Sequence, residues 1–186
     1  MIKKEWLSED IDKVEYERKR QIANSEEVYL CTTRFSNDTY YQNKIARLRL
    51  KKKCIYSNSI PLSNTIRHDA PVFVLELNNS ENKIMGIGCI RNIWNPEVYR
   101  VYENDFYNQP YFEGNYYICR ERMNTKEEEL MKSLDNICFH GKTHLKRGHN
   151  MIQFPAKTMK QCEKHGVCII THIKTMFELR YGNAYM

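Results

Sequence analysis

Eleven consecutive residues, Phe139-His140-Gly141-Lys142-Thr143-His144-Leu145-Lys146-Arg147-Gly148-His149, hold three histidines, three permanent cations and two glycines, with no acid among them. Glycine lets backbone N–H groups approach an anion closely, and Lys and Arg neutralise it, so the stretch suits phosphate. A loop needing only solubility would mix both signs. The long glycine-rich pattern of a P-loop is missing. A second basic block runs from Arg34 to Lys53, with Arg47, Arg49, Lys51, Lys52 and Lys53 following the adjacent pair Tyr40 and Tyr41. Cations that meet phosphates, interleaved with rings on which bases stack, are the requirements of a nucleic-acid surface. The same residues also fit core tyrosines beside an ordinary solvated face.

Two other chemistries are weaker in this sequence. Cys138, His140, His144 and His149 lie close together, and Cys162, His165, Cys168 and His172 follow, yet no Cys-x2-Cys pair is present. Structural zinc favours such close pairs, so no metal or other cofactor is expected. Cys138 near His140 or His144 has the types of a thiol nucleophile and its base, but no third group to orient them. Paired acids are absent from the loop as well. No catalytic residue is assigned, and binding is favoured over an enzymatic role.

The elements that would position these residues follow from pattern. Ser8 can cap a helix carrying Leu7, Ile11 and Val14 on one face, which makes residues 1–26 a helical extension. Glu27 to Thr33 reads as a strand. Ser36 can cap a second helix in which Tyr40, Tyr41, Ile45 and Leu48 share the apolar face, leaving Arg47 on the other. Cys54–Ser57 is a short strand. Pro71–Leu77 and Lys83–Arg91 read as an antiparallel hairpin around the five polar residues 78–82, with Gly86 and Gly88 marking a bulge or a close backbone approach. Val98–Tyr102 and Tyr116–Arg122 are further strands around a loop rich in Tyr and Asn. Thr125 with Glu128 matches a capping box for a helix through Leu130, Met131, Leu134 and Ile137. Pro155 opens another helix that ends near Gly166, and Val167–Tyr181 forms the last, although its first residues also suit a strand.

With 186 residues, the chain fits one α+β domain over 27–186 behind the extension. No run of about 18 apolar residues exists, so no membrane span or membrane partner is expected. The N-terminus lacks the apolar stretch of a secretory signal. Seven cysteines at irregular spacing, mostly inside apolar runs, read as reduced and buried, which places the protein inside a cell. The net charge of +6 is not spread evenly. Residues 31–70 and 137–186 each carry eight cations against two acids, whereas the segments between and before them are acidic. Asn, Ile and Lys occur 17 times each, all residues with AT-rich codons, so part of the lysine richness reflects the coding sequence.

The order of strand Tyr29–Thr33, a helix containing Asn43 and Arg47, and the strands Val72–Leu77 and Ile84–Arg91 with the run Gly86-Ile87-Gly88-Cys89-Ile90 resembles the PUA-like superfamily, which includes the EVE, ASCH and YTH modules. The likeness covers about residues 27–155. It implies a small, mostly antiparallel, barrel-like sheet with flanking helices that binds RNA or a modified base, some members using an aromatic cage; Trp94, Tyr40 and Tyr41 are the positions carried over. Tyr99–Tyr117 and Cys138–Pro155 also look like uncharacterised proteins of large DNA viruses, which implies a host cytoplasm or nucleus, or a virion.

The expectation is therefore a module that binds DNA or RNA through Arg34, Tyr40, Tyr41, Asn43, Arg47, Arg49, Lys51, Lys52, Lys53, Trp94, Lys142, His144, Lys146 and Arg147. It requires both basic blocks to share one face. The alternative is a structural or interaction protein, such as a virion component, because thirteen tyrosines suit protein partners equally well.

Overall fold

The computed structural model describes residues 27–142, 144–148 and 150–186. The helical extension expected over residues 1–26 lies outside them, as do Thr143 and His149. Eight strands and four helices follow in the order β1 (Tyr29–Phe35), α1 (Asn37–Leu50), β2 (Cys54–Ser57), β3 (Pro71–Asn78), β4 (Lys83–Arg91), β5 (Asn95–Val98), β6 (Pro110–Gly114), β7 (Tyr116–Cys119), α2 (Thr125–Phe139), β8 (Ile152–Gln153), α3 (Ala156–Lys164) and α4 (Ile169–Tyr181). The fold is α+β. Five strands form one sheet in the order β7-β4-β3-β1-β8, and three form a second in the order β2-β6-β5. Among the described residues neither sheet closes into a barrel. β1 and β3 run parallel, joined through α1, and every other pairing is antiparallel.

The apolar run Pro71–Leu75 explains the place of β3: it is buried on both faces at the centre of the larger sheet. Phe73, Leu75 and Leu77 meet Met131 and Leu134 of α2 and Ile173 and Phe177 of α4. Val72 and Val74 face the opposite way, toward Tyr40 and Ala46 of α1 and Ile55 of the smaller sheet. The molecule is thus layered, with two helices, a sheet, then α1 beside the second sheet. No helix of the described residues is long and apolar enough to cross a membrane.

Several expected elements are present with shifted limits. The hairpin forms with a four-residue turn, because β3 extends to Asn78 and Asn82 takes the left-handed backbone (φ 52°) that asparagine tolerates. Ser36 caps α1 as expected. Asn124, not Thr125, caps α2, and its reciprocal partner is Glu127 rather than Glu128. The strand expected over Val98–Tyr102 lies earlier, at β5, and β6 falls within the stretch expected to be loop. β7 stops at Cys119, where Arg120 turns inward to bond Ile84 O, Glu128 and Asp135.

The largest departure concerns which side of α1 is buried. Tyr41, Ile45 and Leu48, expected in the core, are 66%, 47% and 81% exposed. The inward side is Tyr40, Asn43, Ala46 and Arg47. Arg47, expected on a solvated face, is buried against Glu76 of β3 at 2.5 Å, and Glu76 also accepts from the hydroxyls of Tyr56 (2.7 Å) and Tyr117 (2.9 Å). Burial opposes the Arg47 charge, but Glu76 and the two phenols hold its pKa well above the usual value. The same burial, with the Glu76 charge, raises both tyrosines. Gly86 and Gly88 make room for them. A Cβ on either would meet the Tyr117 or Tyr56 hydroxyl well inside van der Waals contact. The bulge is there too: β4 sets two residues, Met85 and Gly86, opposite Glu76 alone.

Two stability outcomes follow. Arg47→Ala leaves Glu76 buried and unpaired, so urea unfolding at neutral pH should show a loss of about 3–5 kcal/mol, whereas exposed Lys51→Ala should stay within about 0.5 kcal/mol. Glu127 is held below the ordinary carboxylate value by hydrogen bonds from Arg180, against some opposition from burial. Its contribution is therefore present above pH 4.5 and lost as pH falls through the folded-state value. Glu127→Gln should destabilise at pH 7 and approach parity with the parent in thermal melts run well below pH 4.

Candidate anion-binding cavity

Where β1 ends and α1 begins, five chain segments surround a cavity of about 480 Å³. Arg34 and Ser36 come from the strand end and helix cap. Ser57 comes from the end of β2 and Asn79 from the β3–β4 turn. Tyr102, Phe106 and Tyr107 come from the stretch before β6, and Lys146 with Gly148 from the loop after α2. Among the described residues no Asp or Glu lines it.

Arg34 is the organising side chain. Its Nε donates to Leu145 O at 2.6 Å, Nη1 to Asn150 O at 3.0 Å, and Nη2 to Thr32 Oγ1 at 3.1 Å. These bonds tie the basic loop to β1. Asn79 Nδ2 adds a bond to Lys146 O, and the backbone N–H and hydroxyl of Ser59 both donate to Asn150 Oδ1. Carbonyls and hydroxyls satisfy the guanidinium's geometry without cancelling its charge. Among the described residues no carboxylate pairs with Arg34, and burial draws its pKa below the usual value. Lys146 has no acid partner there either; its ammonium donates to Asn82 Oδ1 at 2.7 Å. Gly148, at φ 107°, takes a backbone that other residues rarely adopt.

The aromatic wall is of another character. Tyr102 is buried, its hydroxyl accepting from Asn43 Nδ2 at 3.1 Å, and Tyr107 sits edge-on to it at 6.0 Å. Phe106, on the short 3-10 turn Asp105–Tyr107, is 85% exposed. An exposed ring held at a cavity mouth is a stacking surface. Asn79 Oδ1 in the same wall is buried without a hydrogen-bond partner among the described residues.

The structure divides the sequence-derived residues. Arg34 and Lys146 meet in the cavity, and His144 stands beside them, its Nδ1 accepting from the Lys146 N–H. Lys142 and Arg147 are exposed in the same loop but do not line the cavity. Tyr40, Asn43 and Arg47 are core residues, so they present nothing to a phosphate. Tyr41 is exposed on the outer side of α1. Arg49 donates to Arg100 O and Lys52 pairs with Glu113. Lys51, Lys52 and Lys53 follow the C-terminus of α1, about 20 Å from its cap by helix rise. Trp94 is half-buried and donates to Asn58 O at 3.2 Å. None of Trp94, Tyr40 and Tyr41 lines the cavity. The two basic blocks therefore do not merge; a single residue of the first joins the second.

Sequence reading missed Ser57, Asn79, Tyr102, Phe106 and Tyr107, whose only signal was the Tyr/Asn richness before β6. It also missed Lys157, Lys160 and Lys164, which border a depression of about 610 Å³ on α3. Those lysines are exposed and meet no ring, unlike the desolvated charge of Arg34. Among the described residues no three metal-ligating side chains cluster. Cys138 is buried in the core, where desolvation pushes its thiol up to about 12.

Compared with known proteins, the chain matches no family model, no curated protein and no solved structure.

The thiols provide a direct check on the described burial. Cys31, Cys54 and Cys138 are buried and raised to about 12, so iodoacetamide at pH 8 should leave them intact in the native protein. Partly exposed Cys119 and Cys168 should be alkylated first, as read by peptide mass spectrometry. Early labelling of Cys138 would contradict the packing of α2.

Proposed function

We propose that the protein is a nucleic-acid-binding module whose site is this cavity, with a phosphate held by Arg34 and Lys146 and a base stacked on Phe106 and Tyr107. The supporting observation is Arg34, a desolvated guanidinium that, among the described residues, has no carboxylate partner in a cavity lined by no acid. Structural arginines of this chain are neutralised, as Arg47 is by Glu76 and Arg120 by Glu128 and Asp135. A cation kept in place by neutral carbonyl and hydroxyl oxygens is suited to an incoming anion. Phosphate then supplies affinity and the exposed ring supplies contact to a base. The strand–helix–hairpin order that resembles PUA-like modules supports the same reading, with the aromatic role moved from Tyr40, Tyr41 and Trp94 to Tyr102, Phe106 and Tyr107. The resemblance to proteins of large DNA viruses would place this activity inside an infected cell.

One observation favours the second reading, an interaction protein. Tyr41, Ile45 and Leu48 recur at helical spacing on the outer face of α1 and are all exposed. Such a stripe is the form in which helices meet partner proteins.

Anisotropy titrations with labelled single-stranded DNA and RNA, at about 50 and 200 mM salt, distinguish the two. Binding should fall steeply with salt, and Lys146→Ala should reduce the logarithmic salt slope by about 1. Phe106→Ala should weaken binding by about 5- to 150-fold, the equivalent of about 1–3 kcal/mol of stacking, without lowering the melting temperature. Absence of binding at the lower salt overturns the reading and leaves the α1 stripe as the principal surface.

A further inference from the structure

Resting on that reading, we infer that the cavity selects a terminal phosphate monoester, the phosphorylated end of a strand or a free mononucleotide, over an internal phosphodiester. Four features of the site converge on this class.

The first is charge. Arg34 and Lys146 both line the cavity, and among the described residues no acid does. An internal linkage brings one negative charge, whereas a monoester brings about 1.5 to 2 at neutral pH. The second is donor geometry. A guanidinium has five N–H groups in a planar fork, and Arg34 commits three to Leu145 O, Asn150 O and Thr32 Oγ1. That leaves one N–H on each of Nη1 and Nη2 for an incoming anion. Lys146 has used one of its three donors on Asn82 Oδ1 and keeps two. A monoester offers three terminal oxygens and a diester only two.

The third feature is an acceptor. Asn79 lines the cavity with its Oδ1 buried and unpartnered, held in that orientation because Nδ2 is committed to Lys146 O. It calls for a donor. Below its second pKa near 6 a monoester supplies that donor as P–O–H, which a diester link never carries; above it the preference comes instead from the extra charge. The fourth is a framework held in advance: five segments line the space, and Arg34, Asn79 and Ser59 hold the basic loop in place.

The test uses the full chain and one labelled single-stranded sequence prepared in three forms, with a 5′-phosphate, a 3′-phosphate, or hydroxyls at both ends. A phosphorylated end should bind about tenfold tighter than the hydroxyl form, in line with one or more added charge-assisted hydrogen bonds. The tighter of the two phosphorylated forms identifies which end is read. Adenosine monophosphate should displace it while adenosine does not. Asn79→Asp, nearly isosteric and adding a negative charge to the wall, should abolish the end preference, and Lys146→Ala should cut it to about threefold or less. Exposed Lys160→Ala on α3 should leave the ratio unchanged. Melting curves screen each variant for folding, and because Arg34 also ties the loop down, the test does not depend on replacing it. Equal binding of all three forms overturns the end selection while leaving nucleic-acid binding in force. No binding of any form overturns both.

Discussion

The buried contact between Arg47 and Glu76 is the constraint on which the arrangement of this molecule depends. Two full charges have been taken out of water between α1 and the centre of the larger sheet, a step that costs several kcal/mol per ion unless each is closely partnered. Glu76 accepts from Arg47, Tyr56 and Tyr117, and the guanidinium carbon of Arg47 lies 5.0 Å from the Tyr117 ring centroid and 5.7 Å from that of Tyr56. Few placements of α1 satisfy so many groups together. A purely apolar contact would tolerate sliding of the helix by a turn; this one does not, because every slip would leave a charge buried without its partner. The glycines of β4 belong to the same constraint, since only residues without a Cβ leave space for the two phenol hydroxyls.

The position of α1 in turn sets the cavity. Arg47 lies near the end of the helix, and Asn43, one turn earlier, bonds both Ile55 O of the second sheet and the Tyr102 hydroxyl. That bond fixes the aromatic wall relative to α1, while Ser36 at the cap provides the neighbouring edge. The basic loop is secured from the other side by Arg34 and Asn79. Two polar networks, one in the core and one at the strand ends, thereby hold a set of residues separated by more than a hundred positions in sequence.

Much of this architecture was legible from local pattern, and the failures have particular causes. The β3–β4 hairpin declares itself because two apolar strands flank a polar turn, and the helices α2, α3 and α4 follow from caps and spacing. α1 misled because hydrophobic periodicity counts greasy residues and cannot see a carboxylate 29 positions away. Once Glu76 is present in the core, Arg47 and Asn43 become inward residues, and Tyr41, Ile45 and Leu48 are left outside. The cap of α2 moved by one position because Asn124 and Thr125 are both able caps and Glu127 and Glu128 both able partners. Of the cavity, Arg34 and Lys146 could be named from charge alone, but their meeting could not. Block charge sums treat every cation alike, whereas Arg47 is neutralised in the core, Lys52 is paired with Glu113, and Arg34 is not.

That contrast between two arginines of one block is the more general point. Arg47 is surrounded by groups that cancel its charge, so its field ends within the core and its effect is structural. Arg34 is surrounded by carbonyl and hydroxyl oxygens, whose dipoles orient the guanidinium and reduce the cost of removing it from water while leaving a net positive charge. A site built that way has met the reorganisation cost of receiving an anion before the anion arrives, because the cation, the loop that carries Lys146 and the wall that carries Asn79 are already held by bonds that do not involve it. The difference between an arginine that stabilises a fold and one that waits for a ligand is thus read from what its N–H groups touch: acids in the first case, neutral oxygens with donors left over in the second.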